Sequence, residues 1–162
     1  ILAKTSLFLV AGIVEKMDGS FNLKELGGIY SGRFAVALLF LLPALSLAGL
    51  PPLSGFFAKL ALVVAGFELR SYAIVGVGLA VSLMTLYSMT KVWNEAFWKE
   101  KKNPAQEHKP VSNWLWAPTA ALVLLSLLAG LLAEPLLNLA GQAAAQLVDP
   151  AIYIGTVLGV VP

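Results

Sequence analysis

The chain has 162 residues, 59% of them hydrophobic and 12% charged, with a formal net charge of +2. Its mean hydropathy is +0.83. A soluble domain carries about 45–50% apolar and about 25% charged residues, so the composition excludes an ordinary water-soluble domain and points to lipid as the main solvent. The small net charge says nothing about nucleic acid, but no basic stripe with interleaved aromatics is present, so no nucleic-acid partner is expected. The absence of cysteine excludes disulfide, thiolate and iron–sulfur chemistry. The single histidine, His108, lies in a charged loop and reads as solvated.

The first segment, Ile1 to about Val14, is apolar but shorter than the roughly 20 residues of a membrane-spanning helix. It lacks a positive leader, carries Lys4 inside the apolar run and leads into Glu15-Lys16, none of which suits a signal peptide. The expectation is a helix whose start is missing, in the C-terminal part of a larger membrane protein. A polar connector follows, with turn signals at Asp18-Gly19 and Gly27-Gly28.

The second segment runs from Phe34 to about Gly66. As one helix it would reach about 50 Å at ~1.5 Å per residue, whereas the hydrocarbon core is about 30 Å thick. It must tilt, break or cross as two offset pieces. Pro51-Pro52 supply the break, because each lacks an N–H and clashes with the preceding turn. Gly49 and Gly55 bracket it and let the backbone bend, and Pro43 adds a milder kink. Leu50 to Leu53 should therefore be non-helical between two helices.

The third segment, about Tyr72 to Trp93, is long enough to span, and the loop "WNEAFWKEKKNPAQEHKP" follows it. The fourth is about Trp114 to Ala133. Trp93, Phe97, Trp98, Trp114 and Trp116 read as interface anchors. "LLNLAGQAAAQLV", with Asn138, Gln142 and Gln146 four apart, reads as an interfacial helix. The tail from Asp149 reads as irregular, and its Gly155-x-x-x-Gly159 matches a helix-dimer motif only as a pattern. The expected fold is all-α: a single polytopic membrane domain, 1–162, of about four spans, the first incomplete and the second broken. Lys16, Lys24 and Arg33 in one connector, and Lys99, Lys101, Lys102 and Lys109 in another, place both basic loops on the cytoplasmic side.

Lys59 is the sharpest chemical signal. It follows the Pro-Pro break by one to two turns within apolar sequence. A lysine near the bilayer centre costs about 2.5–3.5 kcal/mol by insertion scales, and discontinuous helices beside ionisable groups recur at transport sites. The competing reading is a lysine that snorkels to the interface, against which the depth of the apolar flanks argues. Lys4 is a second intramembrane lysine, with Leu7, Phe8 and Ala11 on its face. Glu15 and Lys91 read as solvated or snorkelling. Ser82, Thr85 and Ser88 either bond back to their own helix or hold water near Lys59. No phosphate loop, zinc-binding pair or serine triad can be assembled, so no catalytic residue, metal or cofactor is expected.

"AKTSLFLVAG", "LAGLPPLSGFFAKLAL" and "VWNEAFW" resemble the C-terminal third of the antiporter-like membrane subunits shared by Mrp-type (multiple resistance and pH) cation/proton antiporters, respiratory complex I and membrane-bound hydrogenases. "LFLVAGIVEKMDGS", "NLKELGGIYSGR" and "DPAIYIGTVLG" are most similar to the D-type branch of the Mrp antiporters. The resemblance implies an all-helical membrane fold with two inverted repeats, each holding a broken helix. By motif, Lys59 matches the lysine on the broken helix of the second repeat, in the outward-leading half of a proton path. Lys4 matches the lysine of the central charged row. The histidine usually found just before the Lys4 motif and the charged partners of the first repeat are not in this sequence, which puts a complete path in doubt. The implied function is sodium/proton exchange by a subunit of a multi-subunit complex in a prokaryotic plasma membrane, with other membrane subunits, protons and sodium as partners. The alternatives are a proton-translocating subunit of a redox complex, such as an NADH dehydrogenase, and a purely structural subunit.

Overall fold

A computed structural model describes residues 1–100, 109 and 111–148. Lys101, Lys102, His108 and the tail with Gly155 and Gly159 lie outside the described residues, so the readings made for them are not taken further. The described elements are all helical: α1 Leu2–Asp18, α2 Ile29–Gly32, α3 Phe34–Ala48, α4 Ser54–Glu68, α5 Tyr72–Trp93, α6 Asn113–Leu131 and α7 Ala133–Val148. The chain divides into two compact units, Ile1–Leu131 and Leu132–Pro162.

In the first unit, α1 packs on α3 and α6, α3 also on α5, and α4 on α5 and α6. The α1 core face is Val10, Ile13, Val14 and Met17, at the three- and four-residue spacing of a helix. It meets Val36, Ala37, Phe40 and Ala44 of α3. Removing such side chains from water is worth about 1.5–3 kcal/mol each, but between helices in lipid the driving force is close packing. α4 has no buried residue and α5 only Val75. Their exposed Leu62, Phe67, Ile74, Leu79 and Leu83 form apolar faces that a water-soluble monomer of this size would cover. Tyr72–Trp98 and Asn113–Leu131 are long and apolar enough to cross a membrane, at 27 and 19 residues.

Several boundaries differ from the sequence expectation. α1 runs a turn beyond Val14, through Glu15 and Lys16, and stops at Gly19, whose φ of 75° ends it in the left-handed region. The connector contains the short α2, which the turn signals did not indicate. α3 continues through Pro43. α5 does not end at Trp93: it goes on as a π-helical turn, Asn94–Trp98. That turn carries Phe97 inward, where it is 2% exposed, stacked on Trp93 at 4.9 Å and beside Phe40 at 5.1 Å. Phe97 is thus a core residue and not an interface anchor, while Trp98 and Trp114 are exposed.

Described residues of the two basic loops come together in this unit. The Gly28 N–H donates to Lys99 O at 2.6 Å, and the Lys109 N–H to Met17 O at 3.1 Å. A Cβ on Gly27 would sit 2.7 Å from Lys99 O, so only glycine admits this approach. Lys99 and Glu95 pair at 2.7 Å.

In the second unit, α7 begins at Ala133, three residues before the expected start. Glu134 and Pro135 fall in its first turn, where a proline gives up no intrahelical bond and an acidic side chain suits the helix N-terminus. Asn138, Gln142 and Gln146 then share a face by their spacing.

Candidate functional site

The backbone break between α3 and α4 is built from a short list of deleted donors. In a continuous helix, each carbonyl is taken by the N–H four residues on. Residue 51 would serve Leu47 and residue 52 would serve Ala48, but both are proline and have no N–H. The two carbonyls before these are satisfied locally. Gly49 takes φ 89° as a left-handed cap, its N–H reaching Ser46 O at 3.0 Å, and the Leu50 N–H reaches Leu45 O at 3.1 Å. This is the paired bonding of a Schellman cap. It leaves the Leu47 and Ala48 oxygens without a backbone donor, which inside apolar surroundings is costly.

Lys59 supplies the missing donors. It lies on the second turn of α4, and side chains on a helix tilt toward its N-terminus, here back toward the break. Its Nζ donates to Leu47 O at 3.0 Å and to Ala48 O at 2.8 Å. One ammonium thus replaces the two N–H groups that Pro51 and Pro52 removed. It also sits at the C-terminal, partially negative end of α3. Gly49 makes room for it: a Cβ there would come within 2.6 Å of Lys59 Cδ.

The start of α4 is fixed by side chains that sequence reasoning missed. Ser46 Oγ, on α3, accepts the Gly55 N–H at 3.2 Å, capping α4 from another helix. Ser46 and Ser54 hydroxyls are 3.2 Å apart, and Ser54 is 3.2 Å from Ser126 of α6. Ser46 and Ser126 are only 1% and 3% exposed. A Cβ on Gly55 would collide with Ser46 O, and one on Gly130 would lie 2.5 Å from Pro52 O and 2.6 Å from Ser54 N. These two glycines let three backbones converge. The serines are single residues in apolar runs, so only helix periodicity read jointly on three segments would have paired them.

Lys59 borders two cavities. One, of about 390 Å³, is lined by Ile1 to Ala3 of α1, Ser46, Leu47, Ser54 and Ala129 among others. The other, of about 290 Å³ and almost wholly apolar, lies between α4 and α5 beside Leu62, Val75, Gly78 and Ser82. No other ionisable side chain lines either cavity among the described residues. Lys4 is not brought to Lys59; it follows the cavity-lining Ala3 but stands on an exposed stripe of α1 with Phe8 and Ala11. The hydroxyls of Ser82, Thr85 and Ser88 bond back to Gly78, Val81 and Met84 oxygens at 2.9, 2.8 and 2.9 Å. Of the three residues, only Ser82 borders a cavity that Lys59 also lines.

The arrangement places one ionisable group against two freed carbonyls, with open volume on two sides. That geometry holds a proton on Lys59 by charge-assisted hydrogen bonds to two carbonyls, and these bonds weaken when the amine becomes neutral.

The sequence that builds this break is shared with known proteins. Residues 1–85 match the family model described as NADH:quinone oxidoreductase/Mrp antiporter, TM. The chain is 42% identical over 158 residues to the D-type subunit of the Na(+)/H(+) antiporter of Alkalihalophilus pseudofirmus, covering 98% of this chain and 32% of that protein. It is 31% identical over 148 residues to NAD(P)H-quinone oxidoreductase subunit 2 of a Synechococcus species, covering 86% of this chain and 28% of that one. A chain in the solved structure of the Mrp complex from Dietzia superposes with a TM-score of 0.84 at 33% identity, over 97% of this chain and 37% of its own length. The chain spans about a third of the length of the curated relatives it matches. With more than half of its residues matching the family model, and with the broken helix inside the matched region, the chain belongs to the NADH:quinone oxidoreductase/Mrp antiporter transmembrane family.

Proposed function

We propose that the chain acts as part of a membrane subunit of a multi-subunit sodium/proton antiporter, with Lys59 taking up and releasing transported protons. The observation that carries this reading is the Lys59 ammonium seated on the two carbonyls orphaned by Pro51 and Pro52, between two cavities. A lysine kept only for packing has no need of a broken helix. Gly49, Pro51, Pro52 and Gly55 serve as the hinge that exposes those carbonyls. Lys4 serves as a second relay group on the exposed stripe of α1, and Ser82 helps to hold water near Lys59 in the cavity on the α5 side. The bordering subunits of the complex cover the apolar faces of α4 and α5, or lipid does. The membrane is a prokaryotic plasma membrane, and the two basic loops that meet at Gly28 and Lys99 face the cytoplasm.

The test is proton/sodium exchange in everted vesicles from the whole complex, with subunit levels measured in parallel. Lys59→Ala is expected to abolish exchange while the subunit still assembles. Lys59→Arg is expected to fail nearly as completely, since guanidinium stays protonated. Wild-type exchange by the alanine variant would defeat the relay role, and full rescue by arginine would point to a structural donor for the Leu47 and Ala48 carbonyls.

A second reading, a proton-translocating subunit of a redox complex, is favoured by the relatives named as quinone oxidoreductase subunits. Proton movement that requires the reduction of a quinone rather than a sodium gradient would support it.

A further inference from the structure

The carbonyls that hold the Lys59 ammonium are also cation ligands. Leu47 O and Ala48 O converge on one point, 3.0 and 2.8 Å from Nζ. The cavity beside them is walled by Ser46 and Ser54. Their hydroxyls do something the hydroxyls of α5 do not. Ser82, Thr85 and Ser88 bond back to their own helix, the usual fate of a hydroxyl in an apolar helix. Ser46, Ser54 and Ser126 bond instead to one another across three helices. Polar oxygens from α3 and α4 are thereby held close to the C-terminal end of the α3 dipole, where freed carbonyls already carry a positive group.

We propose that the C-terminal end of α3 is a monovalent-cation site, formed by the Leu47 and Ala48 carbonyls with the Ser46 and Ser54 hydroxyls, for which the Lys59 ammonium is a tethered competitor. The proposal rests on the reading of Lys59 as a proton-exchanging group and adds where the cation binds. Carbonyls at half-helix ends coordinate small cations in transport proteins generally, and hard cations take oxygen ligands. The remaining ligands are waters, for which the cavity of about 390 Å³ has room.

The charge balance explains exchange. All four protein ligands are neutral. With Lys59 protonated and seated, the site holds one positive charge. When Lys59 loses its proton and leaves, a sodium ion restores one positive charge to the same oxygens. Either occupant satisfies the Leu47 and Ala48 carbonyls, and the two exclude each other. Among the described residues no other ionisable side chain lines either cavity: α3 and α6 have none, Glu68 of α4, the tyrosines and Lys91 of α5, and Glu15, Lys16 and Asp18 of α1 line neither, and Lys4 of α1 follows the cavity-lining Ala3.

The experiment uses the whole complex in everted vesicles, with sodium chloride as the probe and pH as the second variable. In the wild type, the KM for sodium is expected to rise toward tenfold for each unit that pH falls, as Lys59 fills with protons, because one site takes either ion. Ser46→Ala and Ser54→Ala each remove a ligand and should raise the KM for sodium about 5–20-fold at fixed pH, measured on the complex that assembles. Threonine at either position keeps the oxygen and should recover most of that affinity. An unchanged sodium KM in both alanine variants, or a fall in maximal rate without a change in KM, would overturn the site while leaving the relay role of Lys59 intact. A sodium KM independent of pH in the wild type would overturn it even if the alanine variants failed to assemble. Loss of the relay role itself would be seen separately, as wild-type exchange by Lys59→Ala.

Discussion

Two regions of the first unit solve the same problem, an interrupted helix, in opposite ways. At the α5 end the interruption is a π-helical turn, Asn94–Trp98, and it is closed by packing: Phe97 stacks on Trp93 and lies against Phe40, with Tyr30 edge-on at 6.2 Å from Trp93. Among the described residues, no charged side chain belongs to that buried cluster. At the α3–α4 end the interruption deletes two backbone donors, and the repair is polar: one lysine and a serine chain. A defect repaired by the rings of Trp93, Phe97 and Phe40 is permanent, because none of the three can change charge. A defect repaired by an ammonium is held most strongly while the proton is there, because the charge strengthens both hydrogen bonds. If Lys59 relays protons as proposed, the difference separates a scaffold end of this unit from a working one.

The comparison breaks most visibly if the polar repair is made unnecessary. Pro51→Ala with Pro52→Ala returns the two N–H groups that Leu47 and Ala48 lack. The helix should then run on through the break, Lys59 should lose its acceptors, and sodium-dependent proton exchange should fall at least about tenfold with the subunit still present. Near-normal exchange would mean that the broken backbone is not needed.

The aromatic end should show the reverse pattern. Phe97→Ala leaves a cavity and is expected to destabilise the subunit by about 3–5 kcal/mol, read as a lower thermal midpoint or a lower subunit level. Exchange per assembled complex should remain within about twofold. A selective loss of exchange there would erase the distinction between the two ends.

A smaller change sharpens the picture of how the break is held. Gly130→Ala pushes a Cβ to within 2.8 Å of backbone atoms at Pro52, Leu53 and Ser54. Overpacking of this kind costs about 1–3 kcal/mol, and here it displaces the Ser126–Ser54 contact. Exchange should drop several-fold before subunit levels do. If levels fall and specific activity holds, α6 is only a buttress.

The smallest effect is expected at the α4–α5 turn. Arg70 has φ 53°, a left-handed conformation usual for glycine. Arg70→Gly should stabilise the subunit by up to about 1 kcal/mol, visible as a modest rise in the thermal midpoint, with exchange unaffected. A fall would show that the arginine side chain is needed at that end.

Much of this was legible in the residues. Composition gave the lipid setting, hydrophobic segments gave the helices, and Pro51-Pro52 gave the break, since the lost N–H is a property of the residue itself. Helix ends were less legible. α1 outran its apolar stretch because Glu15 and Lys16 form helix well and only Gly19 stops it. The π-turn at Asn94–Trp98 was not legible, because its sequence is that of a polar, aromatic helix end, and the burial of Phe97 depends on where Phe40 stands.

By itself the sequence determined that two carbonyls would be orphaned and that a lysine would stand within reach along the chain. Both follow from covalent structure and from helical spacing. Only the tertiary structure decided which carbonyls the ammonium would meet, and that Ser46, Ser54 and Ser126 would join. Those contacts depend on the relative placement of α3, α4 and α6, which is set by how closely Gly55 and Gly130 let the backbones approach. No local pattern contains that distance, because it arises between helices and not along one.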